Sequence, residues 1–401
     1  MLEIKPIFNA LMRSKVGAIL LLIQIAITTA IVSNSAFIIQ DRMAFLNQET
    51  GYLEDEVFSF SVMTYGKDRD LSQQFEEDEA MLRNLPGVVD AAITNAVPLS
   101  GSGSASGFGL KPEPETSKRT RAAYLNGDEH LLNSLGLELS AGRNFDSNEI
   151  IVTQDTGKYP TVAIASKAFL DEAYPEGDGL GQLLYIGASP FKVIGVVDKM
   201  KGPWLKDEKP DNVLIFPYIK AENYQHILVR TEPGQRATVM QTIEDKMLAA
   251  YDKRVILHPH GLDQSKAEYN ASDTLMMRML MVLIVVLVAV TALGIFGLTL
   301  FNISKRTRQI GTRRALGARK SDIIRYFMVE NSLICIGGLT IGCVSAVLLG
   351  RELLERFSLP SLAIEYVAGT AILVLIMTLL AVVVPARRAA KISPSVATRS
   401  I

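Results

Sequence analysis

The stretch MLMVLIVVLVAVTALGIFGLTLFNIS, residues 279–304, contains 26 consecutive residues without a charged side chain. A helix needs about 20 apolar residues to cross the hydrocarbon core of a bilayer, so this stretch predicts a membrane-spanning helix. Three further uncharged stretches are also long enough, at residues 16–39, 331–350 and 366–386. We therefore predict an α-helical membrane protein with four transmembrane helices, at residues 16–39, 279–304, 326–350 and 366–386.

The first uncharged stretch has a second interpretation as a signal peptide, with Lys5, Arg13 and Lys15 as its positive region. Its apolar run is longer than the roughly 7–15 residues typical of such peptides. No small-x-small cleavage site follows before Gln40. We expect an uncleaved membrane anchor.

Basic residues are concentrated in three short segments beside the spans. Residues 1–15 contain three Lys/Arg, residues 305–325 contain eight and residues 387–401 contain four. The positive-inside rule then predicts that both termini and the 305–325 segment face the cytoplasm. Residues 40–278 and the short loop 351–365 are expected on the other side of the membrane, outside the cytoplasm.

The large outer region is acidic and contains no cysteine. Residues 40–278 have 24 Lys/Arg and 36 Asp/Glu, a net charge of 24 − 36 = −12, which argues against a nucleic-acid partner. Cys335 and Cys343 lie eight residues apart in the third span, too far apart on one helix to form a disulfide. The composition excludes an outer domain stapled by disulfides.

The outer region has two β-α-β patterns that flank a β-rich segment. Strand-like alternation over residues 57–64, a helical pattern at 71–85 and a strand at 88–97 form the first pattern. Strand, helix and strand recur at 226–230, 235–251 and 254–258. We predict a large α+β domain with a split ferredoxin-like subdomain, residues 40–136 and 226–261, and a β-rich subdomain inserted at 137–225.

Two further segments of the outer region have specific predictions. Ser100–Gly109 (SGSGSASGFG) is a flexible loop by composition, either a solvated tip or a loop that contacts a cargo or partner. Residues 262–278 contain no helix breaker and predict a stalk helix continuous with the second span.

The 401 residues contain no motif that is typical of catalysis. No Gly-x-x-x-x-Gly-Lys-Ser/Thr sequence occurs, so we expect ATP hydrolysis to require a separate subunit. His258 and His260 could contact a metal, but two ligands without a third make a weak site, and we predict no metal and no catalytic residue.

The segment RTRQIGTRRALGARKSDI, residues 306–323, is too regular for a linker. Ile310, Ala315, Leu316 and Ile323 can form an apolar edge surrounded by arginines. Gly317 suits a helix end, and Ser321 suits the cap of the next helix. Two functions remain open on this pattern: a basic cluster that holds anionic membrane lipid, or a docking helix for an intracellular partner.

This segment resembles the signature of the MacB/FtsX-like permease family of ABC transporters. The matching residues are Arg306, Ile310, Gly311, Arg314, Ala315, Leu316, Gly317 and Ala318, whereas Gln309 replaces the usual glutamate. PARRAAKISPSVATR, residues 385–399, resembles the C-terminal block of the family, with Thr398 in place of a leucine or isoleucine. Stretches at 85–88, 141–145, 162–175 and 180–197 resemble the MacB-type periplasmic core.

The resemblance implies a mechanism and a set of partners. Such permeases dimerise, with a second copy or a related permease, and dock an ABC ATPase that binds ATP and Mg; no cofactor is expected on this chain. The split subdomain is then similar to a porter-like subdomain, and ATPase motion reaches it by mechanotransmission. The implied ATPase-coupling residues are Arg306, Arg308, Gln309, Ile310, Gly311, Arg313, Arg314, Ala315, Leu316, Gly317 and Ala318.

Small residues at four-residue spacing occur in two spans, Ala26 with Ala30 and Gly338 with Gly342. This spacing permits close helix packing, either between two subunits or within one. Glu330 lies one residue before the third uncharged run, and we expect it at the membrane interface and without a role in transport.

Three functions are compatible with the resemblance. The first is an efflux permease of the MacB kind, which works with an ATPase, a periplasmic adaptor and an outer-membrane channel to export an antibiotic, peptide or similar periplasmic substrate. The alternatives are a signalling permease of the FtsX kind that activates a periplasmic partner, and a lipoprotein-releasing permease. A receptor is disfavoured because the cytoplasmic segments are too short for a signalling domain.

Overall fold

The computed structural model describes residues 15–66, 68–113, 119–155, 157–357 and 361–393. The chain divides into a membrane unit, residues 1–47 with 272–401, and an α/β unit, residues 48–271. The basic residues Lys5, Arg13 and Arg399 lie outside the described residues, as does the end of the second family block from Pro394 onward.

The described helices and strands follow in chain order. The helices are α1 Lys15–Leu46, α2 Leu71–Arg83, α3 Leu131–Leu135, α4 Lys167–Ala173, α5 Arg236–Ala250, α6 Leu262–Tyr269, α7 Ala271–Lys305, α8 Thr307–Ala315, α9 Lys320–Phe357 and α10 Ile364–Ala390. The strands are β1 Val57–Thr64, β2 Val88–Thr94, β3 Ser104–Gly109, β4 Arg119–Gly127, β5 Leu139–Gly142, β6 Ile151–Thr153, β7 Val162–Ser166, β8 Leu183–Ile186, β9 Ser189–Val197, β10 Val213–Lys220, β11 Tyr224–Thr231 and β12 Arg254–Gly261.

Four helices in the described part of the chain are long and apolar enough to cross a membrane: α1, α7, α9 and α10. Each contains one of the four predicted uncharged stretches, which confirms the four-helix prediction. The helices extend beyond those stretches, because the ends of a spanning helix continue into the polar interface where charged residues are tolerated.

The small residues of the first and third spans pack against each other within this chain. A Cβ atom on Gly338 would lie 2.8 Å from Cβ of Ile25, and one on Gly342 would lie 2.9 Å from the carbonyl oxygen of Ala26. Ala26 and Ala30 are buried. The small-residue spacing therefore brings α1 and α9 into close contact inside one subunit, the second of the two uses left open by the sequence.

Polar side chains in the membrane unit also bond between helices. The hydroxyls of Thr28 and Thr291 are 2.8 Å apart and join α1 to α7. The side-chain amide of Asn34 donates to the carbonyl oxygen of Ala346 at 3.0 Å, which joins α1 to α9. A polar group in a lipid environment needs such a partner, so these bonds select one arrangement of the helices.

The α/β unit contains the predicted split ferredoxin-like layer. Its four-stranded antiparallel sheet has the order β12-β1-β11-β2, in which the two β-α-β patterns interleave. Alternate residues of β1, Phe58, Phe60 and Val62, are buried in one core with residues of α2 and α5. Strand β1 runs over the predicted residues because a period of two places these side chains on the helix-covered face.

The inserted subdomain is a closed barrel of six strands. Its order is β4-β3-β8-β9-β7-β10, and β10 pairs in parallel with β4 to complete the ring, while β5 and β6 attach to β9 and β10. Four phenylalanines fill the interior at ring separations between 5.0 and 6.0 Å: Phe108, Phe169, Phe191 and Phe216. Closure leaves no open edge between the first and last barrel strands.

The insertion begins earlier than the predicted residue 137. Strands β3 and β4 belong to the barrel, although we assigned both to the first half of the ferredoxin-like subdomain. The predicted flexible loop Ser100–Gly109 is also wrong over most of its length, because Ser104–Gly109 forms β3 and pairs antiparallel with β4. The segment is rich in serine and glycine, which favours a loop. Its single aromatic residue, Phe108, is buried and fixes the strand in the barrel core.

The predicted continuous stalk helix over residues 262–278 is interrupted. Helix α6 ends at Tyr269 and α7 begins at Ala271, with Asn270 between them at φ −95° and ψ 9°. The backbone N–H of Asn270 still bonds the carbonyl of Lys266 at 3.1 Å. Asparagine favours helix ends over helix interiors, but its effect is weaker than that of glycine or proline. The segment contains neither glycine nor proline, so the sequence predicts an unbroken helix.

A buried cluster of carboxyl groups lies beside the ferredoxin-like sheet. Glu79, Asp90 and Asp128 surround the guanidinium of Arg83, at nitrogen–oxygen distances of 3.3, 3.3 and 2.9 Å. His130 Nδ1 lies 3.0 Å from Asp90. Burial, with the Asp128 charge as the second cause, raises the pKa of Glu79 to about 8. Burial also raises the pKa of Asp128.

The raised pKa of Glu79 predicts that the α/β unit becomes less stable as pH rises. Between its ordinary pKa of 4.5 and about 8, the folded state holds a proton that the unfolded state releases. The free energy of unfolding should therefore fall by up to about 1.4 kcal/mol per pH unit in this window. Glu79→Gln should flatten the dependence, because the glutamine side chain does not titrate.

Denaturant unfolding followed by fluorescence of Trp204, the single tryptophan and a residue of the α/β unit, measures this slope between pH 5.5 and 8.5. Glu76→Gln is the control, because Glu76 is exposed on the same helix. Equal slopes in the wild type and Glu79→Gln would contradict the assignment.

Candidate functional site

The predicted coupling segment forms a short helix, α8, with one buried and one exposed face. Ile310 and Gly311 are buried, and Ile310 shares a core with Ile323 of α9. Arg308 and Gln309 are exposed on the opposite face. Leu316 follows the helix with 83% of its surface exposed. The segment therefore packs through Ile310 and presents arginines and a leucine outward.

The turn after α8 ends the helix as the sequence predicted. Gly317 adopts φ +96°, a conformation that residues with a Cβ rarely take. Its N–H donates to the Arg314 carbonyl at 3.2 Å, and the Ala318 N–H donates to the Arg313 carbonyl at 3.0 Å. These bonds satisfy carbonyl groups that the helix end would leave free.

The predicted cap of the next helix is wrong. Helix α9 begins at Lys320, so Ser321 already lies inside its first turn. Asp322 supplies the capping oxygen instead, and Oδ2 accepts the backbone N–H of Arg319 at 2.9 Å. A carboxylate in the first turn also interacts favourably with the helix dipole.

An ion pair fixes the beginning of α8 to α9. Arg306 Nη1 lies 2.9 and 3.1 Å from the two carboxylate oxygens of Glu330, which is 2% exposed. The same nitrogen donates to the hydroxyl of Tyr326 at 3.2 Å. The guanidinium of Arg313 lies 4.9 Å from the centre of the Tyr326 ring, in cation–π contact. One face of α9 therefore contacts Arg306 and Arg313, two of the predicted coupling residues.

A second bond fixes the end of α8 to α10. Arg314 Nη1 donates to the carbonyl oxygen of Ala390, the last residue of α10. Ala386, Ala389 and Ala390 are buried in the same core as Ile310. The structure thus brings together the two sequence blocks, residues 306–318 and the described part of 385–399, that lie more than sixty residues apart in the chain.

The eleven predicted coupling residues divide by their environment. Arg306, Ile310, Gly311, Arg314 and Ala318 pack inward, whereas Arg308, Gln309, Arg313, Ala315, Leu316 and Gly317 are exposed. The apolar edge predicted from Ile310, Ala315, Leu316 and Ile323 holds only for the two isoleucines. Gln309 faces outward, so the absence of the usual glutamate leaves no buried charge without a partner.

Glu330 and Tyr326 are the structural residues of this site that the sequence reasoning missed. The signal for Glu330 was present, because a carboxylate beside a long apolar run requires a cation partner. Its position at the interface was expected, but its pairing with Arg306 was not.

The structure places one carboxylate near the histidine pair, with Glu268 Oε1 at 3.6 Å from His260 Nε2. Across the described residues, no group of three or more His, Cys, Asp or Glu side chains is arranged to hold a metal ion. His258 has φ +51° on β12, where the pairing with β1 shifts register. Its unusual backbone therefore accompanies a bulge in an edge strand.

Two family profiles match this chain. The profile described as the MacB-like periplasmic core domain matches residues 17–246, more than half of the chain, and the profile described as the FtsX-like permease C-terminal domain matches residues 281–394. The chain belongs to the MacB/FtsX-like permease family. The resemblance inferred from residues 306–318 is confirmed, and the second profile includes all of α8. The permease is accordingly a multi-pass inner-membrane protein with a periplasmic domain.

Similar curated proteins are named as combined ATP-binding and permease proteins. The probable syringafactin exporter SyfD of Pseudomonas syringae pv. syringae is 29% identical over 234 residues, which cover 55% of the permease and 35% of the relative. The macrolide exporter MacB of a Shewanella species is 28% identical over 277 residues, covering 65% and 40%. The pyoverdine exporter PvdT of Pseudomonas aeruginosa is 25% identical over 298 residues, covering 69% and 45%. The permease therefore spans less than half the length of these relatives.

Two solved structures of transporter domains are similar to part of the permease. The periplasmic region of MacB from Actinobacillus actinomycetemcomitans has 14% identity and a TM-score of 0.34, and covers 52% of the permease and 91% of that chain. The extracellular domain of the transporter YknZ from Gram-positive bacteria has 15% identity and a TM-score of 0.33, and covers 50% and 100%.

Glu330→Gln should loosen α8, because it leaves the Arg306 guanidinium in a mostly buried position without a counter-charge. The expected cost is about 3 kcal/mol, at the lower end for a buried ion pair. In lipid nanodiscs, trypsin should cleave the variant after Arg308 and Arg313 faster than the wild type, because cleavage requires local opening. Mass spectrometry of the released peptides measures the rate.

The control for this experiment is Glu352→Gln, which removes an exposed pair between Glu352 and Arg356 on the same helix. Such a pair contributes less than about 1 kcal/mol. The exchange Arg306→Glu with Glu330→Arg should recover part of the protection. Cleavage of Glu330→Gln at the wild-type rate would refute the anchoring role.

Proposed function

We propose that this chain is the permease component of an ATP-driven export system and that α8 with the turn to Ala318 docks an ABC ATPase on the cytoplasmic side. The proposal rests on the different environments of the two faces of α8. Its inner face is fixed to α9 and α10, while Leu316 projects outward among exposed arginines. An apolar centre with a charged rim is the usual composition of a protein interface.

The attachments of α8 make it suitable for force transmission. A load on Leu316 or Arg308 passes through Arg306–Glu330 to α9 and through Arg314–Ala390 to α10. Buried contacts of this kind transmit displacement because packed interiors are hardly compressible. In this proposal ATP and Mg bind to the ATPase, and the residues of α8 perform no chemistry. The permease works as a dimer, with a second copy or a related permease.

We propose that the cargo is a substrate taken from the periplasm. The three relatives above are named for the export of syringafactin, macrolides and pyoverdine, which are different molecules. Membership in the family therefore supports export and does not select one cargo. A periplasmic adaptor and an outer-membrane channel complete the proposed route, with both permease termini in the cytoplasm as the distribution of basic residues predicts.

Leu316→Asp and Arg308→Glu should each reduce recovery of the ATPase with tagged permease at least tenfold, the effect of about 1.4 kcal/mol of lost binding. Both side chains are exposed, so neither substitution disturbs packing inside the chain. Arg314 is unsuitable for this purpose, because its bond to Ala390 is internal.

Leu354→Asp and Arg351→Glu are the matched controls, since both residues are exposed at the far end of α9. Equal amounts of all four variants in the membrane fraction establish normal insertion. Unchanged ATPase recovery with Leu316→Asp and Arg308→Glu would exclude α8 as the docking surface and favour lipid binding by its arginines.

Affinity purification from native membranes, with mass-spectrometric identification of the proteins recovered, tests the wider proposal. We expect an ABC ATPase with a periplasmic adaptor. An ATPase recovered with a cell-wall hydrolase would favour the signalling function, and one recovered with lipoproteins would favour lipoprotein release. Absence of any ATPase would refute the proposed function.

A further inference from the structure

A cavity of about 450 Å³ lies in the α/β unit between the ferredoxin-like sheet and the barrel. Thr94 of β2 and His226 of β11 line one wall, and Tyr124, Asn126 and Tyr218 of β4 and β10 line the other. Its volume falls in the range of about 300–1,000 Å³ that is usual for small-molecule sites. The residues that line the cavity lie between positions 93 and 226, far in the sequence from the predicted coupling segment at 306–318.

Several polar groups that line the cavity are available to a ligand. The Tyr124 hydroxyl, the Asn126 side-chain amide and His226 Nε2 have no hydrogen-bond partner among the residues that the structure describes. Neighbouring Asn95 differs, because its Oδ1 accepts the Asn126 backbone N–H at 2.7 Å and its Nδ2 donates to Ser104 at 3.4 Å. Asn95 therefore supports the wall, while the other three groups can act on a bound molecule.

The charge on the cavity walls is balanced. Lys220 and Glu222, the charged residues that line it, form an ion pair with each other. Burial lowers the pKa of His226, so its imidazole is neutral at pH 7. The Nδ1 atom of His226 lies 2.9 Å from the Ser61 hydroxyl, which also accepts a bond from Tyr224. A ligand that fills this larger cavity therefore needs no charge to match its walls.

Aromatic rings provide the apolar part of the site. Tyr124, Tyr218 and Tyr224 line the main cavity. A second cavity of about 190 Å³ shares Tyr124, Asn126, Tyr218 and Lys220 with the first. Tyr159, Pro160, Ile186 and Phe216 give it a mainly apolar and aromatic lining, and the exposed Lys158 completes it. A molecule that fills both cavities has a polar ring portion joined to an apolar substituent.

We propose that this pair of cavities binds a neutral glycoside, with the sugar in the larger cavity and its apolar substituent in the smaller one. Sugar hydroxyls both donate and accept, so they can pair with a phenol, an amide and an imidazole together. The C–H faces of a sugar ring pack against tyrosine rings without charge. Binding is a property of the α/β unit and does not require the ATPase partnership proposed above.

The test uses the full chain in phospholipid nanodiscs, free of sugar-headed detergents, which would compete for the same site. Saturation-transfer NMR would compare phenyl glycosides of glucose, galactose and N-acetylglucosamine with methyl glucoside, phenyl phosphate and benzylamine. We expect the strongest signals from phenyl glycosides and weaker signals from methyl glucoside. Phenyl phosphate and benzylamine should give none.

Two variants locate the binding site without removing packing groups. Tyr124→Phe keeps the ring and removes the hydroxyl, and Asn126→Leu keeps the approximate volume and removes the amide. Each should weaken phenyl-glycoside binding about fivefold, the usual effect of one neutral hydrogen bond. Tyr65→Phe is the control, because Tyr65 is exposed and lines neither cavity. Trp204 fluorescence on unfolding verifies that each variant is folded.

Three results would overturn the proposal: no phenyl glycoside binds, binding persists unchanged in both Tyr124→Phe and Asn126→Leu, or the charged compounds bind more strongly than the glycosides. The experiment measures binding directly, so failure to recover an ATPase with the permease leaves its outcome unaffected.

Discussion

A carboxylate buried on a membrane-spanning helix requires a cation, and in this permease the cation is Arg306. The pair with Glu330 holds Arg306, the residue just before α8, against α9. Detachment of α8 would leave the Glu330 charge without a partner in an apolar environment, which is unfavourable. Ile310 can then pack beside Ile323, and Arg314 reaches the last carbonyl of α10. Residues 306–318 are therefore a packed part of the membrane unit, although their many arginines would also suit a flexible basic linker.

This construction separates two roles that lie side by side in the sequence. Arg306 and Arg314 act inside the unit, whereas Arg308 is free of packing constraints and faces outward. The replacement of a glutamate by Gln309 falls on the outer face, so the internal attachment does not depend on it. The arginines that anchor α8 therefore differ from Arg308, the arginine that we propose for docking.

The α/β unit places its main cavity where the chain leaves and re-enters the ferredoxin-like sheet. Strand β2 leads to the barrel after Thr94, and β10 returns to β11 through residues 221–223. Two separately closed packings meet at this junction, the helix-covered sheet and the phenylalanine-filled barrel. Ile219 of β10 joins the core of the sheet, and the space that remains beside it is lined by residues at the ends of β2, β4 and β10 and the start of β11. Such junctions between packed layers are common positions for ligand sites.

The sequence by itself determined the features that depend on local pattern. Uncharged runs of about 20 residues identified four spans, period-two alternation identified β1 over the residues where it occurs, and Gly317 marked the end of α8. The motif at 306–318 identified the family. These signals are local because hydrophobic periodicity and backbone preference act within a few residues.

Only the tertiary structure decided which distant residues meet. Ser104–Gly109 becomes a strand because Phe108 reaches the barrel core. Strand β4 joins that barrel through its pairing with β10, in which each residue pairs with one 90 residues further along. Glu330 and Ala390 become part of the packing around α8 through contacts made by Arg306 and Arg314. Asn270 ends a helix that local pattern predicted to continue. Long-range contacts of this kind arise from packing and charge pairing, which no short window of sequence contains.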